Sequence, residues 1–156
     1  MKKLFFDCGT RDATASFGLL VLRVVIPLMM LLGHGLPKIH AYPKNSGSFF
    51  VPDVPLLSHM SPQVSYIAVI GAEVGAAALL ILGLATRPAA FVFAFTMVIA
   101  AFGAMQSAPW FISPQSPAAK EAALLYLVPA VTILLTGGGL YSLDALIDTD
   151  KKRRRR

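Results

Sequence analysis

The sequence predicts an all-α integral membrane protein, a bundle of four transmembrane helices, and three observations support this class. Hydrophobic residues make up 56% of the chain and charged residues 14%, against about 25% charged in soluble domains. Four apolar stretches each have about the 20 residues needed to cross a hydrocarbon core. We place these helices at residues 17–36, 63–85, 88–106 and 119–136. The 156-residue chain then has one transmembrane domain over residues 1–147 and a basic tail over residues 148–156.

The basic residues predict the orientation of the bundle. Four spans put both termini on one side of the membrane, together with the short loop between the second and third helices. Ten lysines and arginines then fall on that side, three fall on the other, and one lies within a helix. Cytoplasmic segments are enriched in Lys and Arg, so we expect both termini in the cytoplasm. The net charge of +6 then reflects topology, and nucleic acid is not an expected partner.

Prolines and small residues predict the loops and the helix contacts. Several prolines follow residue 37, so we expect a long outer loop over residues 37–62 in place of a continued helix. Gly71 and Gly75, flanked by Ala68, Ala72 and Ala76 on an adjacent stripe, are expected to form a surface of small residues for close contact with a neighbouring helix. We expect glycines 137–139 to end the fourth helix. Ser142 and Asp144 should then cap a short helix at the membrane surface.

Ionisable residues occur where lipid should not tolerate them. Arg23 lies in the first apolar stretch and Glu73 in the second, and a charge at bilayer depth costs at least about 2.5–3.5 kcal/mol on insertion scales. At 1.5 Å per residue, Arg23 lies ~9 Å and Glu73 ~18 Å from the cytoplasmic helix ends. We therefore expect these two side chains to pair. A second pair is expected near the outer end, between Lys38 and Glu121.

Two interpretations of these charges stay open. In the first, they are structural ion pairs that hold the helices in register. In the second, they bind the polar headgroup of a lipid-soluble molecule, and a quinone fits best. Arg23, Glu73 and Tyr126 would then supply hydrogen bonds or a proton path, and His34 lies near Lys38 and Glu121 in the outer layer. No Ser/His/Asp pattern for nucleophilic catalysis is evident, so no catalytic residue is assigned.

Histidine and cysteine do not predict a haem or another metal centre. His34 and His40 are separated by Pro37 and do not share a helical face, and His59 lies in the first loop. Cys8 is the single cysteine of the chain, which excludes an internal disulfide and a multi-cysteine metal site.

Several motifs, taken in order, resemble the DoxX family of small four-helix membrane proteins. They are Leu22-Arg23, Gly33-His34-Gly35-x-x-Lys38, Glu73, and the run Gly83-Leu84-Ala85-Thr86-Arg87-Pro88-Ala89-Ala90. After Glu121, the segment Gly137-Gly138-Gly139-Leu140-Tyr141-Ser142-Leu143-Asp144 is similar to the Gly-x-Gly-x-x-Ser-x-Asp ending of that family. The likeness covers residues 17–147.

The resemblance implies a multi-pass protein of the bacterial or archaeal inner membrane. Some family members are membrane subunits of a thiosulfate:quinone oxidoreductase, and others act with partners in thiol-redox or oxidative-stress complexes. It therefore implies a membrane subunit or anchor of a quinone-linked redox system with a soluble redox partner. The alternative is a non-catalytic scaffold whose ion pairs are structural. No cysteine lies in the spans or the outer loops, which argues against direct sulfur chemistry by this chain. A monomer and a homo-oligomer both stay open.

Overall fold

The computed structural model describes residues 9–55 and 57–153, and for residues 149–153 it describes the backbone alone. Cys8, Lys2, Lys3, Leu56 and the side chains of the basic tail lie outside the described residues, so the expectations placed on them stay predictions. The described chain contains one isolated bridge, between Ser113 and Ser116, and is otherwise helical or irregular. Its helices are α1 (Ala13–Ser48), α2 (Pro62–Leu82), α3 (Thr86–Ala104), α4 (Lys120–Thr136) and α5 (Leu143–Arg153).

The all-α class is confirmed over the described residues. Three helices, α1, α2 and α3, are long and apolar enough to cross a membrane. The fourth apolar stretch forms α4 at the predicted place, with 17 residues, a length of about 26 Å at 1.5 Å per residue. The last helix, α5, has 11 residues, which is too few for a span.

The first helix is longer than predicted, and the expectation of a loop from residue 37 is wrong. α1 continues through Pro37 and Pro43. Immediately before Pro37, the segment Leu31–Gly35 forms a wider, π-type turn, in which the Leu36 N–H donates to the Leu31 carbonyl five residues earlier. A proline ring normally clashes with the carbonyl four residues before it. The wider turn rearranges the local hydrogen bonds and lets the helix pass the proline.

The helices pack through small side chains. α3 lies along α4, and α1 contacts α2 and α4. The buried core alternates alanines with a few larger residues, among them Ala77, Ala90, Leu80, Phe93 and Ile133. Small residues allow the close backbone approach on which helix packing in lipid depends. The outer surface is apolar, as a lipid-facing surface requires, with exposed residues that include Phe17, Phe91, Leu125 and Leu135.

The expected packing surface of small residues on α2 is wrong at Gly71 and Gly75 and correct at Ala72 and Ala76. Both glycines are exposed, and a Cβ at either would meet nothing within 4 Å. The buried face of α2 carries Ala72 and Ala76, two alanines of the predicted adjacent stripe. The segment Gly71–Ala76 is a second π-type turn. A turn with an extra residue rotates the positions that follow it, so a regular helical period misplaces the buried face.

Both ends of the described chain meet at one end of the bundle. Gly137, with φ 82°, ends α4, and Ser142 Oγ accepts the Ala145 N–H at 3.1 Å to cap α5, as predicted for the glycines and for Ser142. An ion pair of 2.9 Å between Arg11 and Asp148 holds α5 beside the start of α1. We call this end, which also contains the turn between α2 and α3, the basic end.

Candidate functional site

Lys38 of α1 and Glu73 of α2 form an ion pair between two helices. The Lys38 Nζ lies 2.6 Å from each carboxylate oxygen of Glu73. The Glu73 side chain is 7% exposed and that of Lys38 is 28% exposed. Hydrogen bonds between two charged groups are the strong ones, and a surrounding of low polarity strengthens them further. The pair therefore joins a buried carboxylate to a lysine whose side chain is partly exposed.

The pair forms where the backbones of α1 and α2 come close together. A Cβ at Gly35 would lie 2.8 Å from Val74 Cγ2 and 3.3 Å from the Glu73 carbonyl oxygen. Gly35 ends the π-type turn of α1, and Val74 lies within that of α2. Turns of this kind occur frequently at functional sites. The two irregular turns thus face each other, and they set the contact that aligns Lys38 with Glu73.

Two further predicted residues contact each other about one helical turn from Lys38. The rings of His34 and Tyr126 meet edge to face, with centroids 5.8 Å apart. His34 and Lys38 are four residues apart on α1, so they lie near each other along the helix. His34 is exposed and Tyr126 is partly exposed. We call His34, Lys38, Glu73 and Tyr126 the polar cluster.

Tyr66 fixes the backbone that carries Lys38. Its hydroxyl donates to the Lys38 carbonyl oxygen at 3.0 Å, and the side chain is 2% exposed. Its ring also packs edge to face on Phe49, with centroids 4.3 Å apart. Sequence reasoning missed Tyr66. The available signal was a tyrosine in an apolar helix, because a buried tyrosine hydroxyl usually finds a hydrogen-bond partner.

Both predicted ion pairs are wrong in their partners. Glu73 pairs with Lys38, whereas Arg23 lies beside Gly83 at the end of α2. The prediction assumed that the first two helices reach the same plane at the cytoplasmic side. In the structure α2 ends at the level of Arg23, about 9 Å along α1 from residue 17 at 1.5 Å per residue. That offset moves Glu73 away from Arg23 and toward Lys38.

Glu121 does not join Lys38 either. Its Oε2 accepts the Ile112 N–H at 2.9 Å, and its own N–H donates to the Trp110 carbonyl. The neighbouring Lys120 places its ammonium 5.0 Å from the centre of the Trp110 ring. Glu121 therefore shapes the loop between α3 and α4, in which Trp110 and Phe111 are exposed.

Arg23 belongs to a second polar group, at the basic end. It is 1% exposed, and its Nη2 donates to the Tyr141 carbonyl oxygen. The Asp144 carboxylate interacts electrostatically with the guanidinium. The Nε and Nη1 atoms have no hydrogen-bond partner among the described residues. A Cβ at Gly83 would lie 1.4 Å from Nη1. The guanidinium is thus packed directly on the turn between α2 and α3, with no space for a ligand on that side.

Asp144 caps a helix other than its own. Its two carboxylate oxygens accept the N–H groups of Ala85 and Thr86 at 2.8 Å each, and it is 0% exposed. These N–H groups lie at the start of α3, where backbone donors lack partners within the helix. The expectation that Asp144 caps the short helix that contains it is therefore wrong. We call Arg23, Gly83, Thr86, Ser142 and Asp144 the Arg23 junction.

A signal for this cap was present in the sequence. The residue before α3 is Ala85, with a φ of 47°, and it provides no side-chain cap. A helix start without its own capping side chain needs an acceptor from elsewhere. Sequence reasoning could have looked for a distant Asp or Ser, but only the fold shows that it is Asp144.

A comparison with protein-family models identifies the family of the chain. The model of the DoxX family matches residues 18–106, which include Arg23, Lys38, Glu73 and the start of α3. No curated protein and no solved structure is significantly similar to the chain. The Gly137–Asp144 ending lies beyond the matched range, yet it contacts the matched part through Arg23, Ala85 and Thr86. The chain is a membrane protein and belongs to the DoxX family.

Proposed function

We propose that this protein is a membrane subunit or anchor of a quinone-linked redox system, and that the polar cluster binds the quinone headgroup. The observation that carries the proposal is the Lys38–Glu73 pair, in which the Lys38 side chain is 28% exposed. His34, four residues before Lys38 on α1, is in ring contact with Tyr126. Ionisable residues within a membrane mark ligand or proton pathways more often than they mark simple packing. Arg23 and Glu121 are not part of this proposed site.

The chemistry of the cluster suits a quinone. An ammonium has three donors and Glu73 accepts two hydrogen bonds from it, so Lys38 keeps donor capacity for a carbonyl oxygen. A quinone takes up two electrons and two protons when it becomes a quinol. A soluble redox protein would supply the electrons. Two protons from water would reach the two quinone oxygens through His34 and Tyr126. Glu73, which accepts two hydrogen bonds from Lys38, would hold the ammonium in place.

The surroundings favour a ligand that arrives through the lipid. His34 is exposed on the surface of a helix long and apolar enough to cross a membrane. The residues near it on α1 are apolar and exposed as well, among them Leu32 and Leu36. A molecule with an apolar tail and a polar headgroup matches this combination. We further propose that α4 completes a four-helix bundle in a bacterial or archaeal inner membrane, with both termini cytoplasmic.

The test compares two double variants of the full chain in mild detergent. Lys38→Gln/Glu73→Gln removes both charges of the cluster and so leaves no uncompensated buried charge. Arg11→Gln/Asp148→Asn removes an exposed ion pair at the basic end and is the control. Decyl-ubiquinone is the probe, and the rise in Tm with probe concentration gives the Kd.

We expect the parent and the control to bind the probe with equal Kd, and the cluster variant to bind at least about tenfold more weakly, the equivalent of 1.4 kcal/mol. A cluster variant that folds and binds as the parent does would show that Lys38–Glu73 is structural. A parent that binds no quinone would remove the redox proposal. The first result would place quinone binding elsewhere on the chain. The second would favour the scaffold function, in which the pair serves only to align α1 with α2.

A further inference from the structure

The loop between α3 and α4 exposes three consecutive apolar side chains. Trp110 is 55% exposed, Phe111 76% and Ile112 51%. The sequence has no charged residue from 105 to 119. Contiguous apolar surface of this kind marks contact with a membrane or with another protein. We call Trp110, Phe111 and Ile112 the loop tip.

The depth of the loop tip follows from its contact with α3. The rings of Trp110 and Phe102 meet at 68°, with centroids 6.2 Å apart. Phe102 is 49% exposed and lies in the last turn of α3, which has 19 residues and is apolar enough to cross a membrane. At 1.5 Å per residue, Phe102 lies about 24 Å from the start of α3, and a hydrocarbon core is about 30 Å thick. Trp110 therefore lies near the membrane boundary and continues the lipid-facing surface of α3.

The backbone of the loop is hydrogen-bonded within the protein. The carbonyl oxygens of Pro109 and Trp110 accept the N–H groups of Lys120 and Glu121, each at 3.0 Å. The Ile112 N–H donates to Glu121 Oε2 at 2.9 Å. Irregular backbone at membrane depth is tolerated where its polar groups have partners inside the protein. These bonds also fasten the loop to the start of α4, so the loop tip is held in its exposed position.

Two charged side chains contact the loop tip, and they have opposite signs. The Lys120 ammonium lies 5.0 Å from the centre of the Trp110 ring, and the Glu121 carboxylate accepts the Ile112 N–H. A surface that recognises a charged partner protein is complementary to it in charge, and here the two charges offset each other. Aromatic rings at the boundary of a membrane need no net charge, because their amphipathic rings suit the level of the headgroups. Phospholipid is therefore the partner that the loop tip fits.

We propose that the loop tip inserts into the headgroup region of the adjacent leaflet and holds this end of α3 and α4 at a fixed depth. The partner is the phospholipid bilayer, which the loop tip contacts between the headgroups and the first carbons of the acyl chains. This surface is separate from the polar cluster, and its function does not depend on quinone binding.

The experiment uses the fluorescence of Trp110, the single tryptophan of the chain. The full-length protein is reconstituted into phosphatidylcholine vesicles, with or without phosphatidylcholine that is brominated near the headgroup end of its acyl chains. Acrylamide quenches from the aqueous phase. We expect brominated lipid to lower the Trp110 fluorescence at least about twofold, and acrylamide to quench it less than about half as strongly as free tryptophan amide.

Relocated tryptophans test whether the loop tip in particular is immersed. Trp110→Phe/Phe111→Trp keeps the fluorophore in the loop tip. Trp110→Phe/Gln115→Trp moves it to the exposed turn that the backbone hydrogen bonds between Ser113 and Ser116 close. We expect brominated lipid to quench the first variant as it does the parent, and the second at least about twofold less.

A second pair of variants tests whether the apolar side chains hold Trp110 in the lipid. Phe111→Ser/Ile112→Ser removes two exposed apolar side chains beside Trp110. Leu143→Ser/Leu146→Ser removes two exposed apolar side chains at the basic end and is the control. The first variant should show weaker quenching by brominated lipid and stronger quenching by acrylamide, and the control should match the parent.

Three results would overturn the proposal. The first is strong quenching of the parent by acrylamide without quenching by brominated lipid, which would leave the loop tip in water as a surface for a soluble protein. The second is protection from both quenchers that disappears when more lipid dilutes the protein, which would assign the loop tip to a second copy of the chain. The third is equal quenching by brominated lipid in the two relocated tryptophans, because immersion would then not be a property of the loop tip.

Discussion

Individual residues of this protein act through contacts between helices that are distant in sequence. Asp144 illustrates this. It lies on α5, its carboxylate caps α3, and it interacts electrostatically with the Arg23 guanidinium of α1. Three elements therefore depend on one carboxylate that is 0% exposed. A buried charge of this kind is costly to leave without its partner.

At this scale we expect Asp144→Asn to destabilise the protein strongly. An Asn oxygen replaces only one of the two acceptors, and Arg23 loses the negative charge beside it. The expected loss is about 3 kcal/mol in the free energy of unfolding. The control is Asp148→Asn on the same helix, where the side chains of the ion pair are 55% and 27% exposed, so the loss should be about 0–1 kcal/mol. Thermal unfolding in detergent measures both. Equal losses in the two variants would contradict the proposed contribution of the Arg23 junction to the free energy of unfolding.

The helices of the bundle depart from regular geometry where they carry the candidate site. α1, α2 and α3 each contain a π-type turn, at Leu31–Gly35, Gly71–Ala76 and Ala100–Ala104. The first lets α1 pass Pro37 and continue to Lys38, and the second carries Glu73. The contact between them depends on Gly35, where a side chain has no room.

For the α1–α2 contact we expect opposite results at two glycines of the same turn. Gly35→Leu should push the helices apart, because its Cβ would lie 2.8 Å from Val74 Cγ2. Overpacking of this kind costs about 1–3 kcal/mol, and it should also separate Lys38 from Glu73. Gly33→Leu should be tolerated, since nothing lies within 4 Å of its Cβ. Thermal unfolding gives the stability of each variant, and the quinone titration described above shows whether the site survives. Equal tolerance at Gly35 and Gly33 would mean that the close approach does not hold the site together.

The whole molecule has two polar centres at different depths. The Arg23 junction lies at the basic end, and the polar cluster lies farther along α1, about 17–22 Å from Arg23 at 1.5 Å per residue. The first joins structural elements, and the second contains a lysine side chain that is partly exposed. Because the two centres are separate, the Arg23 junction can hold the helices together while the polar cluster remains partly exposed.

The topology of the molecule can be tested directly. Cytoplasmic segments are rich in Lys and Arg, and ten of the fourteen lysines and arginines fall on the side of the termini when four helices cross. We expect a reporter enzyme that is active only outside the cytoplasm to be silent when fused after Arg156. The same reporter should be active when inserted after Asn45. The reverse pattern would show that the termini lie outside the cytoplasm. Activity at both positions would show that an even number of helices crosses the membrane between them.

The sequence by itself determined the helical class, the approximate positions of α2, α3 and α4, and the family. These follow from local features, namely the length of apolar stretches, the capping residues Ser142 and Gly137, and motifs read in order. Local patterns also identified Arg23, Lys38 and Glu73 as residues that need partners. Only the tertiary structure determined which residues interact with these three side chains. Pairing depends on how far one helix is offset along another and on how a π-type turn rotates the residues after it. Neither quantity is contained in a stretch of sequence. Because α2 ends farther into the bundle than α1 begins, Gly83 lies against Arg23 and Glu73 pairs with Lys38.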